Sequence, residues 1–121
     1  KVPFIFREEG SGTRQTLTRF TSFKNLNIES SMELTSNEAV KQAVVAGLGY
    51  SVMPLIGIKN ELELGELEII PIAGFPLTSQ WQLVWLKNKR FSLAAQAYIS
   101  YLEKNKAAIT AEKFHWYEAY Q

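Results

Sequence analysis

Phe4-Ile-Phe-Arg-Glu-Glu-Gly-Ser-Gly-Thr-Arg14 opens as a short apolar run and turns at once into a serine set between glycines. The change of pattern returns in Met32-Glu-Leu-Thr-Ser-Asn-Glu-Ala-Val-Lys-Gln-Ala-Val-Val-Ala-Gly-Leu-Gly49, which continues into Tyr50-Ser-Val-Met-Pro54. Each stretch places a small hydroxyl residue where an apolar strand hands over to an amphipathic helix. In an α/β sheet such junctions lie beyond the carboxyl ends of the strands, where ligands bind.

Outward from these junctions the elements follow by period and punctuation. Phe4–Phe6 is a buried strand, and Thr13 to Lys24 is a helix with Leu17 and Phe20 on one face, closed by Asn25-Leu-Asn. Ser31 to Leu34 is a second strand. Ser36 to Leu48 is a helix, with Val40, Ala43, Val44 and Leu48 at helical spacing. Gly47 and Gly49 end it through the left-handed conformation that glycine accepts. Tyr50 to Met53 is a third strand, and Pro54 opens a short helix to about Asn60. Leu67-Glu-Ile-Ile-Pro-Ile is an edge strand bounded by Pro71. Gly74-Phe-Pro76 is a turn and Trp81 to Lys87 a further strand. Ser92 caps a helix that shows Ala94, Ala97, Tyr98, Tyr101 and Leu102 on one face. Residues 110–121 form a last aromatic-rich helix. Elements alternating at these lengths predict a largely parallel sheet covered by helices.

With 121 residues, 46% of them hydrophobic, the chain suffices for one ordinary core. A formal net charge of +1 with no basic stripe argues against a nucleic-acid surface, which needs clustered Lys and Arg. The chain has no cysteine, which excludes disulfides and thiolate metal sites. No apolar run approaches the ~18 residues of a membrane span, and the start is not a signal peptide. The expectation is a soluble, cytoplasmic protein without membrane contact.

Ser11 is the leading candidate for chemistry. As an N-cap it leaves a helix start whose free N–H groups suit a carboxylate or phosphate, and Gly10 and Gly12 let backbone approach a ligand. The plainer reading is that Ser11 only caps, with Glu8 or Glu9 pairing with Arg14. The stretch lacks the Gly-Lys-Ser/Thr ending of a phosphate loop. Thr35-Ser-Asn-Glu38 fits a capping box between Thr35 and Glu38, leaving Ser36 and Asn37 to hydrogen-bond a ligand. Catalysis finds little support. A nucleophile needs a base and an orienting group, yet His115 is the only histidine and sits in the tail. Ser51 lacks the second glycine of a nucleophile elbow. Glu61, Glu63, Glu66 and Glu68 read as a solvated face, and no carboxylate–histidine cluster of metal-site type occurs. No cofactor is implied.

Arg7-Glu-Glu-Gly-Ser-Gly-Thr-Arg14, Ser36 through Pro54, Gly74-Phe-Pro-Leu77, Trp81 and Arg90-Phe-Ser-Leu-Ala-Ala95 occur in an order that resembles the effector-binding domain of LysR-type transcriptional regulators. The wording is most similar to regulators of the RuBisCO operon and of related carbon metabolism. The resemblance implies an α/β, type II periplasmic-binding-protein-like fold, with a mostly parallel sheet flanked by helices. Residues 1–106 would be the C-terminal part of the domain, one half of a two-subdomain architecture. Within them, 3–72 would be the second subdomain and 80–106 a crossover strand and helix, followed by a C-terminal aromatic tail, 107–121. It also implies a small anionic metabolite bound in the inter-subdomain cleft near Gly10, Ser11, Gly12, Thr13, Thr35, Ser36 and Asn37. The partners would be that effector and further copies of the chain in a homo-oligomer. DNA would be contacted only through an N-terminal helix-turn-helix, which this stretch does not contain. The abrupt entry at Val2-Pro3-Phe4 then reads as the edge of a fragment. The helix 92–106, which would rest on the first subdomain, should lack its usual cover and favour self-association. A fragment of an extracytoplasmic solute-binding protein, sharing the fold, is the alternative.

Overall fold

The computed structural model describes residues 3–120. The chain divides after Ile72 into two compact units.

The first unit is built around β1 (Phe4–Arg7). It pairs in parallel with β2 (Ser30–Leu34), with Ile5 beside Met32, Phe6 beside Glu33 and Arg7 beside Leu34. On its other edge β1 meets Tyr50 in a parallel bridge: the Ile5 N–H donates to the Tyr50 carbonyl at 2.8 Å, and the Tyr50 N–H to the Pro3 carbonyl at 3.0 Å. A strand flanked on both edges is apolar throughout its middle, and Ile5 is fully buried. Helix α1 (Gly12–Phe23) follows β1 and buries Leu17, and α2 (Asn37–Val45) follows β2 and buries Val40 and Ala43. Ile5, Val40 and Ala43 form the core, with Leu34, Val44 and Met53 packed against it.

The expected third strand, Tyr50 to Met53, shrinks to the single bridging residue. The Ser51 hydroxyl donates to the Ile5 carbonyl at 2.8 Å, taking the acceptor that the next rung of the ladder would need. The expected strands at 67–72 and 81–87 are irregular instead. A strand exists only against a partner, and among the described residues neither run has one. After Pro54 a 3-10 turn (Leu55–Gly57) leads into α3 (Lys59–Leu64), so the segment expected to alternate as a solvated face begins as a helix.

Three helices end alike. After α1, α2 and α3 the chain turns through Asn25, Gly47 and Gly65, each at positive φ. The following N–H groups of Leu26, Leu48 and Glu66 donate back to the carbonyls of Thr21, Ala43 and Glu61, the Schellman closure of a helix. Gly49 acts differently from the helix stop expected of it. A Cβ there would lie 2.6 Å from the Pro3 carbonyl oxygen, so glycine is needed for the close approach to β1.

In the second unit the Ser92 hydroxyl accepts from the Ala95 N–H at 3.2 Å and opens α4 (Leu93–Phe114). The helix expected to close near Lys106 runs unbroken through 22 residues and continues as a 3-10 segment, His115–Tyr120. Its half-covered positions are Ala95, Ile99, Leu102, Asn105, Ile109 and Phe114, whereas Ala94, Ala97, Tyr98 and Tyr101 are exposed, so the expected apolar face is split. The tail aromatics stack on each other, Trp116 edge-on to Tyr117 at 5.3 Å and Tyr120 at 6.2 Å. Among the described residues of this unit none is buried.

Candidate functional site

Because β1 and β2 are parallel neighbours, the helices that follow them start at the same edge of the sheet. Ser11 is the N-cap of α1 and Ser36 the N-cap of α2. The Ser36 hydroxyl accepts from the Ala39 N–H at 3.0 Å. The Ser11 hydroxyl accepts from the Arg14 N–H at a longer 3.5 Å, and Ser11 is itself buried. Gly10 turns the chain at φ 90°, a conformation that favours glycine, and the space where Gly10 and Gly12 would carry a Cβ is open. Thr13 is half-buried in the first turn of α1, while Thr35, Ser36 and Asn37 are exposed.

The capping box expected between Thr35 and Glu38 does not form. The cap is one residue later, because Ser36 has the extended backbone that a cap requires. Glu38 turns instead to Lys41 at 2.9 Å and to Gln42 at 3.0 Å. Its carboxylate is thereby engaged along the helix rather than reaching back to the Thr35 N–H.

Two guanidinium groups stand at this edge. Arg7, the last residue of β1, grips Glu8 with a two-pronged contact, Nε to Oε2 at 2.7 Å and Nη2 to Oε1 at 2.8 Å. Its Nη1 donates to the Asn37 side-chain oxygen at the start of α2. Arg14 donates to the Arg7 carbonyl at 2.8 Å, pairs with Glu33 of β2, and lies over the Phe6 ring at 4.9 Å. The partner expected for Arg14 was Glu8 or Glu9. Parallel pairing brings Glu33 beside Phe6 instead, within the guanidinium's reach. The hydrogen bond from Arg7 holds the Glu8 carboxyl below its ordinary value, and Glu8 correspondingly raises Arg7.

Sequence reasoning passed over Arg7, Glu33 and the pairing of Lys41 with Glu61 at 2.7 Å. Arg7 was detectable as the charged residue ending a buried strand at the ligand edge. The other pairs depend on contacts across 19 or 20 residues, which no local pattern announces. A shallow groove beside α4, lined by Lys104, Ala107, Thr110, Ala111, Phe114 and Tyr117 among others, includes none of the residues expected at the ligand.

The edge gathers hydroxyls, helix-start N–H groups, a carboxamide and two cations, a set of groups chemically suited to oxygen-rich or anionic ligands. The Ser51 hydroxyl proton is committed to a main-chain carbonyl, and His115 lies in the second unit. Among the described residues no cluster of three or more metal-ligating side chains occurs, and no helix is long and apolar enough to cross a membrane.

Parallel strands handing over to capped helices at a shared edge define an α/β fold of the ligand-binding kind. The chain belongs to the LysR substrate binding domain family, whose model matches residues 1–107, and its fold is accordingly periplasmic-binding-protein-like. It is 50% identical over 95 residues to a RuBisCO operon transcriptional regulator of Allochromatium vinosum, covering 78% of this chain and 32% of that protein. It is 40% identical over 108 residues to the HTH-type transcriptional activator CmpR of Synechocystis, covering 89% and 36%. A second RuBisCO operon transcriptional regulator, from Acidithiobacillus ferrooxidans, is 44% identical over 101 residues, covering 84% and 33%. The chain thus spans about a third of the length of these relatives. Their names describe transcriptional regulators, not enzymes or transporter components.

Proposed function

We propose that this chain is the effector-sensing module of a LysR-type transcriptional regulator, binding an anionic metabolite at Gly10, Ser11, Gly12, Thr13, Thr35, Ser36 and Asn37. Residues 3–72 supply one wall of the cleft, and 80–106 return toward a first subdomain that supplies the other. The complete regulator is a cytoplasmic homo-oligomer. It reaches DNA through a helix-turn-helix domain, in keeping with the name of the HTH-type activator CmpR. Effector binding biases the conformation of the DNA-bound oligomer and involves no catalysis. The observation that carries this reading is the placement of two serine-capped helix starts side by side at the carboxyl ends of adjacent parallel strands.

Calorimetry on the complete effector domain tests it. Ser11→Ala should weaken a carboxylated or phosphorylated effector by about 1 kcal/mol, the worth of one neutral hydrogen bond. Ser36→Ala should act in the same direction. Affinity unchanged across Ser11, Thr13 and Ser36 substitutions would reject the site.

A further inference from the structure

Arg7 and Glu8 are neighbours in sequence, yet their side chains meet in the parallel, two-pronged geometry by which arginine recognises a carboxylate. Along a continuing strand, adjacent side chains point to opposite faces. The contact forms where β1 ends: Arg7 is its last residue, and the Glu8 N–H donates to the Leu34 carbonyl at 3.2 Å just before the turn at Glu9-Gly10. The Arg7 side chain is only 15% exposed, whereas that of Glu8 is 31% exposed. The cation is therefore anchored and the carboxylate can swing outward. The third prong of Arg7 already rests on Asn37, a residue of the proposed ligand site. Arg14 is committed elsewhere, its Nη1 donating both to the Arg7 carbonyl and to Glu33 of β2.

We infer that Arg7 is the anion-reading side chain of this site and that Glu8 is a built-in stand-in for the ligand, displaced when a carboxylate or phosphate takes over the Arg7 fork. The inference rests on the proposed function and adds the residue that selects the charge. It makes anion binding an exchange: the incoming group replaces an existing ion pair and does not meet a bare cation. Selectivity follows, because an anion with two suitably spaced oxygens restores both parallel hydrogen bonds, whereas a halide offers a single acceptor centre to the two N–H groups. The exchange also frees Glu8 to face the solvent of the cleft, where its negative charge disfavours a second anion.

The test is a titration of the isotopically labelled chain with inorganic phosphate at fixed pH and ionic strength, with chloride as the balancing ion. The Arg7 side-chain Nε–H resonance and the backbone amides of residues 10–13 are followed by NMR. The expected result is a saturable shift of the Arg7 resonance. Glu8→Gln should lower the apparent Kd for phosphate about threefold, since a partly exposed ion pair offers only modest competition. Arg7→Lys, which keeps the charge but loses the fork, should raise it about tenfold. Glu8→Gln lies outside the core and leaves its packing untouched, so that arm stands even if the Arg7 variant folds poorly. An unchanged or higher Kd in Glu8→Gln would overturn the exchange. Saturable movement of the amides at 10–13 with a static Arg7 resonance would overturn it while leaving the proposed function in place. A non-saturating response, an adventitious ion only, would overturn it as well.

Discussion

A methyl group on Gly49 would lie 2.6 Å from the Pro3 carbonyl oxygen, and that oxygen already accepts the Tyr50 N–H. Relief by moving the backbone would cost the hydrogen bond, and no flexible side chain end is available to give way. Gly49→Ala should therefore destabilise the chain by about 1–2 kcal/mol, less than a full overpacking penalty because alanine also restricts the unfolded chain. Urea unfolding should show a lower midpoint with an unchanged slope. Gly12→Ala, with open space around it, should cost far less. The residue scale was partly legible beforehand. Ser11 could be recognised as a cap because capping is a local act, settled within three residues. Thr35 and Ser36 were harder to order, since both have a suitable hydroxyl and only backbone geometry chooses between them. The role of Gly49 depends on a strand more than forty residues away, and nothing near it distinguishes a close approach from a helix stop.

Lys41 joins elements. Rooted in α2, it meets Glu61 of α3 at 2.7 Å and Glu38 at 2.9 Å, and the side chains of Lys41 and Glu61 are largely covered. The hydrogen bond from Lys41 lowers Glu61 below its ordinary 4.5 and is also the chief cause of the lowering of Glu38; Glu61, then Glu38, raises Lys41 above 10.5. The signs fix the pH window. The carboxylates stabilise the fold above their ordinary value, and this contribution is lost as pH falls through the lower values they hold in the fold. The ammonium contributes below 10.5 and loses its contribution as pH rises through its raised value. Stability from this triad is thus greatest between about pH 5 and 10. Thermal unfolding should show Glu61→Gln weakening the acid-side and the alkaline-side dependence in part, because Glu38 still pairs with Lys41, and Lys41→Met weakening both sides further; equal pH profiles in the variants and the parent would refute the clamp. The ends of α1 and α2 were readable in advance, because Asn25 and Gly47 announce a left-handed turn by composition; α3, expected to stop near Asn60, runs on to Gly65. The clamp was not, since alternating glutamates on an exposed strand and glutamates on a short helix have the same sequence.

At the scale of the whole molecule, burial is uneven. Ile5, Phe6, Leu17, Val40, Ala43 and Ile58 lie before residue 73, and α4 offers Tyr98 and Tyr101 to solvent at 61% and 56% exposure. Covering apolar surface is worth about 25 cal/mol per Å², so the second unit gains from a partner. In keeping with the proposed homo-oligomer, sedimentation at micromolar concentration should find dimers. Tyr98→Lys or Tyr101→Lys should dissociate them. A parent chain that sediments only as monomer would remove α4 from the interface. Alternation of strand and helix was legible on this scale because period and turn residues are local. The later strands were over-read for a physical reason: Leu67–Ile72 and Trp81–Lys87 have the composition of strands, but pairing requires a neighbour, and composition does not supply one.

The position of β1 between β2 and Tyr50 sets a timetable for synthesis. At ~10 residues per second, Tyr50 leaves the ribosome roughly five seconds after β1. Throughout that interval β1 lacks the edge that Tyr50 supplies, and for most of it α2 is not there to cover its apolar side chains. Folding of this unit is therefore a waiting problem, in which β1 must be kept from wrong partners until Tyr50 arrives. Translational pausing before residue 50 would lengthen that exposure, and pausing after Ile72 would leave it unchanged.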